Sequence, residues 1–106
     1  MRSHETLLLV EDDEVDVLTV RRALRELNVS SPLLVANDGF EALEILRDAA
    51  KPQPSLVLLD LNMPRMSGLE MLRAARAEGM LKNTPVVVLT TSAHERDVVE
   101  GFDLAI

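Results

Sequence analysis

The chain has 106 residues, a formal net charge of −7 and no cysteine. Disulfides and thiolate metal sites are therefore excluded, and the acidic balance argues against nucleic acid or an anionic membrane surface as a direct partner. Apolar residues make up 47% of the sequence, enough for the core of one small domain, 1–106. No apolar run approaches the ~20 residues of a membrane span, and the opening MRSHET lacks the apolar segment of a secretory signal, which suits a reducing cytoplasm.

In chain order, residues 6–10 (TLLLV) are apolar and strand-length. Residues 14–27 place Val17, Val20, Leu24 and Leu27 at helical spacing, with arginines between them. A second strand, residues 32–36 (PLLVA), closes in the turn signal Asn37-Asp38-Gly39. Residues 40–47 suit a short helix, ended by Lys51-Pro52-Gln53-Pro54. The third strand covers 56–59, and a helix opens at Ser67 or Gly68 and runs to about Ala77. A fourth strand, residues 85–89 (PVVVL), precedes a helix expected over 94–104. Strand–helix alternation of this kind predicts a parallel α/β sheet. The strands are continuous apolar runs, as expected when both faces are covered, so the fold class is doubly wound.

Three strands end in polar residues: Glu11-Asp12-Asp13 after the first, Asp60 after the third, Thr90-Thr91-Ser92 after the fourth. Ligands of open parallel sheets bind beyond the carboxyl ends of the strands. Carboxylates gathered there repel one another, and a divalent cation relieves that repulsion. An all-oxygen donor set favours Mg²⁺ over zinc or copper. A carboxylate beside Mg²⁺ can attack a phosphoryl group, and the Thr90 hydroxyl can hydrogen-bond an oxygen of the product. Each residue alone has a plainer reading. Asp60 can be a turn former, and the acids at 11–13 can cap the first helix and complement its dipole. Three polar strand ends together are harder to read as three independent caps.

The segments LLLVEDD (7–13), NDGFEAL (37–43), LVLLDLNMPRMSGLE (56–70) and PVVVLTTS (85–92) resemble, in order and spacing, the receiver domain of two-component response regulators. The resemblance implies a flavodoxin-like receiver fold with strand order 2-1-3-4. It implies that Asp60 is the phosphoacceptor, with Glu11 and Asp12 the acidic pair holding Mg²⁺ (or Mn²⁺). Asn62 then supplies a backbone carbonyl to the metal, and Thr90 moves toward the phosphoryl group on activation. Pro64 and Gly68 shape the pocket, while Asn62 and Ser92 occupy positions that tune how fast the phosphoryl group is lost. The implied partners are a sensor histidine kinase or phosphotransfer protein and a downstream protein. Within the family the chain looks most like small stand-alone regulators paired with phytochrome-like kinases.

The family has five strand–helix units, and its fifth brings a Lys and an aromatic residue to the switch. Here no Lys follows Lys82 and there is no Tyr or Trp, so the resemblance implies a receiver lacking its fifth strand and helix. An uncovered fourth strand is then a sheet edge, and self-association is expected.

Two rival readings remain. A haloacid-dehalogenase-type phosphatase also places a nucleophilic Asp at a strand end, but it wants a second Asp two residues on, where Asn62 stands. A receiver-like adaptor binds partners without phosphorylation, but such chains usually lose the phosphoacceptor or the acidic pair. The alternation Asp12, Glu14, Asp16 is no calcium loop, because Val17 stands where an EF-hand needs Gly. The triplet His94-Glu95-Arg96 reads as capping and surface charge, and Met63, Met66 and Met71 as gap fillers.

Overall fold

Four short apolar segments pair side by side because none is long enough to bury itself as a helix. They are β1 (Leu7–Val10), β2 (Leu33–Ala36), β3 (Leu56–Asp60) and β4 (Val86–Thr90). All pairings are parallel and the order is β2-β1-β3-β4, as expected. A computed structural model describes residues 5–60 and 66–90. The helix expected over 94–104 lies outside those residues.

Helices α1 (Glu14–Glu26), α2 (Gly39–Arg47) and α3 (Gly68–Ala77) alternate with the strands. Alternating strand residues divide between two faces. Leu8, Val10, Val57, Leu59, Val86 and Val88 pack with Leu43 and Leu46 of α2 and Met71, Leu72 and Ala75 of α3 in one buried cluster. The other face carries the buried Leu7, Leu9 and Leu58. There α1 shares grooves with Leu33, Val35 and Leu89. Helices thus lie on both faces, the doubly wound arrangement.

Local signals set the helix ends. The Asp13 side chain accepts from the amides of Val15 (2.8 Å) and Asp16 (3.3 Å) and caps α1. Asp38 accepts from the Glu41 amide (2.8 Å) and caps α2. Ser67 and Glu70 cap α3 reciprocally, the pattern of a capping box. α1 ends in paired back-bonds, Val29 amide to Leu24 carbonyl and Asn28 amide to Arg25 carbonyl, with Asn28 left-handed at φ 59°. α3 ends the same way at Gly79, φ 83°. These are Schellman turns, which use a left-handed residue to satisfy the last carbonyls.

Two expectations are corrected here. Leu27, counted in the apolar stripe of α1, is the C-cap and is 72% exposed. The spacing runs on past the point where Asn28 reverses the chain, so Leu27 leaves the stripe formed by the half-buried Val17, Val20 and Leu24. Asp60, expected just beyond the third strand, is the last residue of β3 itself, because the ladder to β4 continues one pair further.

Candidate functional site at the carboxyl edge of the sheet

The site begins with the way β1 ends. The Glu11 amide donates to the Ala36 carbonyl (2.9 Å), which keeps Glu11 locked against the end of β2. Its side chain is 2% exposed, the Asp60 residue beside it is 7% exposed, and Asp12 is exposed. One carboxylate oxygen from each of Glu11, Asp12 and Asp60 lies within 4.8 Å of the others. The neighbouring acid Asp13 takes a separate role, since its carboxylate is committed to the first turn of α1. The Asp13 amide turns back and donates to Glu11 Oε1 (3.1 Å).

Burial raises the Glu11 carboxyl pKa from 4.5 to about 7. The Asp13 amide opposes that shift, while the Asp60 charge and hydrogen bonds with Asp60 and Asp12 add to it. Two buried carboxyls and one exposed one, crowded this closely, have the donor chemistry of a hard-cation site, with all-oxygen ligands.

β4 approaches the same point by an irregular step. The ladder runs Val57–Val86, Leu58–Val87, Leu59–Val88, and then Asp60–Thr90. The extra residue, Leu89, is a β-bulge, and it brings Thr90 into register with Asp60. On the opposite side, Gly68 opens α3 directly against the strand. A Cβ there would lie 2.4 Å from the Asp60 carbonyl oxygen and 2.8 Å from Leu59 Cδ1. Of the residues singled out from the sequence, Glu11, Asp12 and Asp60 are brought together, Thr90 is paired with Asp60, and Gly68 packs on the Asp60 backbone. Asn62, Pro64 and Ser92 lie outside the described residues.

Sequence reasoning missed three features around this edge. It took Asn37-Asp38-Gly39 as a turn, although Asp38 with Glu41 three residues later is a legible helix start. It had no signal for the bulge at Leu89, or for the contact between Gly39 and Met66.

A family model for the response regulator receiver domain matches residues 7–106. The chain belongs to that family. It is a receiver domain of two-component response regulators, and three relatives show its neighbourhood within them. It is 38% identical to the response regulator Rcp1 of Synechocystis sp. over 104 residues, covering 94% of this chain and 71% of Rcp1. The Mn²⁺-bound form of Rcp1 superposes with a TM-score of 0.81 at 37% identity, covering 96% of this chain and 76% of that one. The bacteriophytochrome response regulator AtBRR gives a TM-score of 0.82 at 34% identity over 99% of this chain and 79% of that one. The phosphorylated cyanobacterial phytochrome response regulator RcpA gives 0.78 at 37% identity over 97% of this chain and 76% of that one. The chain spans 64% and 40% of two further curated relatives. No described helix of this receiver is long and apolar enough to cross a membrane.

Proposed function

We propose that this receiver takes a phosphoryl group onto Asp60 from a phosphohistidine on a sensor kinase or phosphotransfer protein, and that the modified domain then signals by binding another protein. The observation that carries this reading is the convergence of Glu11, Asp12 and Asp60 within 4.8 Å. An Asp60 oxygen forms the new bond to phosphorus as the bond to the donor nitrogen breaks, and the imidazole leaves with that electron pair and takes up a proton. Glu11 and Asp12, with Asp60 and the Asn62 carbonyl, would hold the divalent cation. The crowding of three acids and the raised pKa of Glu11 fit such an occupant. When bound, Mg²⁺, or Mn²⁺ as in the Rcp1 relative, neutralises charge on the transferring group.

Thr90 is assigned the hydroxyl that bonds the new phosphoryl oxygens, a role supported by its register with Asp60. Gly68 and Pro64 shape the pocket, and Asn62 and Ser92 tune the lifetime of the aspartyl phosphate. The ~−2 charge gained at Asp60 biases an existing two-state equilibrium of the domain. The setting is cytoplasmic, and the domain is a signalling module rather than an enzyme with its own substrate. The kinase is of the phytochrome-like class, by analogy with AtBRR and RcpA. Light scattering tests the expected self-association, and a stable monomer at all concentrations would remove it.

Intact mass after incubation with a small phosphodonor and Mg²⁺ tests the central step. A phosphoryl adduct is expected on the parent and neither on Asp60→Asn nor with chelator present. No adduct on the folded parent would turn the reading toward a partner-binding adaptor.

A further inference from the structure

We propose that Met66 is a positioning residue, which clasps Gly39 at the start of α2 and thereby holds Asp60 in its metal-binding geometry. The inference rests on the reading of the Asp60 site given above.

Gly39 is the first residue of α2 and is buried. Its backbone is helical and any residue could adopt it, so what the position requires is space. A Cβ there would lie 2.6 Å from Met66 Cγ, 2.9 Å from Met66 Sδ and 3.0 Å from Met66 Cβ. The severe overlaps are with the Cγ and the sulfur, which Met66→Ala removes; the Cβ at 3.0 Å is a tight contact that a give of a few tenths of an ångström relieves. Met66 therefore lies across a gap that only glycine leaves open, and its unbranched side chain suits that path.

The anchor beneath it is firm. Asp38, which caps α2, is 3% exposed and bonds the Glu41 amide. Two residues beyond Met66, Gly68 sits against the Asp60 carbonyl. The chain that leaves β3 at Asp60 thus returns to two fixed points, the backbone of Asp60 itself and the start of α2. β2 and β3 are not neighbours in the sheet, since β1 lies between them. The Met66–Gly39 contact links the segment after β2 to the segment after β3 without any strand pairing.

The sign of one substitution separates this from an ordinary packing contact. Helix propensity favours alanine over glycine, so Gly39→Ala should help α2 if Met66 were irrelevant. The clasp requires it to harm the site instead. Manganese affinity of the full chain is to be titrated for the parent, Gly39→Ala, Met66→Ala and the double variant, with thermal unfolding of each without metal. We expect Gly39→Ala to weaken manganese binding about tenfold in the parental background, and by less than about twofold when Met66→Ala is already present. Met66→Ala alone is expected to weaken binding about threefold while unfolding cooperatively.

Equal losses from Gly39→Ala in both backgrounds would overturn the clasp, as would parental affinity in Gly39→Ala. Variants that lose thermal stability but bind manganese as tightly as the parent would also overturn it, since that is the mark of packing alone. Should Gly39→Ala fail to fold, Met66→Ala decides by itself, and parental affinity there overturns the proposal. A parent that binds no manganese fails the site reading, and the clasp's role with it. A parent that binds while the cycle shows no coupling fails the clasp alone.

Discussion

Asp60 of β3 stands in register with Thr90 of β4, where the ladder up to the Leu59–Val88 pair would have put Leu89. The one-residue bulge sets Thr90, rather than Leu89, opposite the phosphoacceptor candidate in the ladder.

Thr90→Ala is therefore expected to slow formation of the aspartyl phosphate. A hydrogen bond to a charged group is worth ~1.5–3 kcal/mol, which corresponds to roughly a ten- to hundredfold lower rate. Thr90→Ser, which keeps the hydroxyl, should recover most of it. Intact mass against time gives both rates, and a parental rate in Thr90→Ala would remove Thr90 from the site.

The pH dependence follows from Glu11. Its folded pKa of about 7 exceeds its ordinary value of 4.5, so the folded state holds a proton that the unfolded chain releases. The contribution to stability is full below pH 4.5 and is lost as pH rises through about 7. Without metal, the free energy of unfolding should fall across that window by on the order of 3 kcal/mol at most, and the thermal midpoint should fall with it. Glu11→Gln should flatten the profile. Metal binding needs the deprotonated carboxylate, so manganese affinity should rise with pH through about 7 and then level off. A metal-free stability that climbs with pH across the window would contradict the account.

Adjacent acids should behave differently. Asp13→Ala removes the cap of α1 and is expected to cost about 1 kcal/mol of stability. Asp12→Ala leaves that cap intact and should change stability by less than about 0.5 kcal/mol. Its manganese affinity should nonetheless drop at least about tenfold, since it removes one of three carboxylates. Denaturant unfolding and metal titration on the same two variants check both halves.

Gly68→Ala sets helix propensity against sterics. The new Cβ would lie 2.4 Å from the Asp60 carbonyl oxygen, a backbone atom that cannot swing aside. A loss of about 2–3 kcal/mol is expected, typical of overpacking. That should lower the unfolding midpoint by ~10 °C or more. A midpoint at or above the parent's would show that α3 can move off the strand freely.

Much of the site is legible in the sequence itself. The apolar runs ending in Glu11, Asp60 and Thr90 mark three strand ends, and a parallel sheet must bring its carboxyl ends to one edge. Ser67 with Glu70 marks the start of α3. What escapes depends on relations between distant segments. Leu89 is a bulge only because β3 and β4 pair as they do, and nothing in PVVVLTTS distinguishes it from its neighbours. Leu27 fits the periodicity of α1 but follows its last turn, since periodicity continues where the hydrogen-bond ladder stops. The resemblance sets Glu11 and Asp12 apart from Asp13, but the burial and amide directions behind that division are not written in three consecutive acids. Gly39 gives no hint that its missing side chain makes room for Met66.

The two faces of the sheet are unequal. The α2–α3 face interlocks in one buried cluster, whereas α1 has no fully buried residue and leaves Val15 and Leu18 69% and 61% exposed. Local opening follows the density of buried contacts, so the amides of α1 should exchange with solvent well before those of β1 and β3. Among the described residues, the buried cluster beneath the phosphoacceptor candidate is therefore the part of the fold least able to absorb a change of side-chain volume.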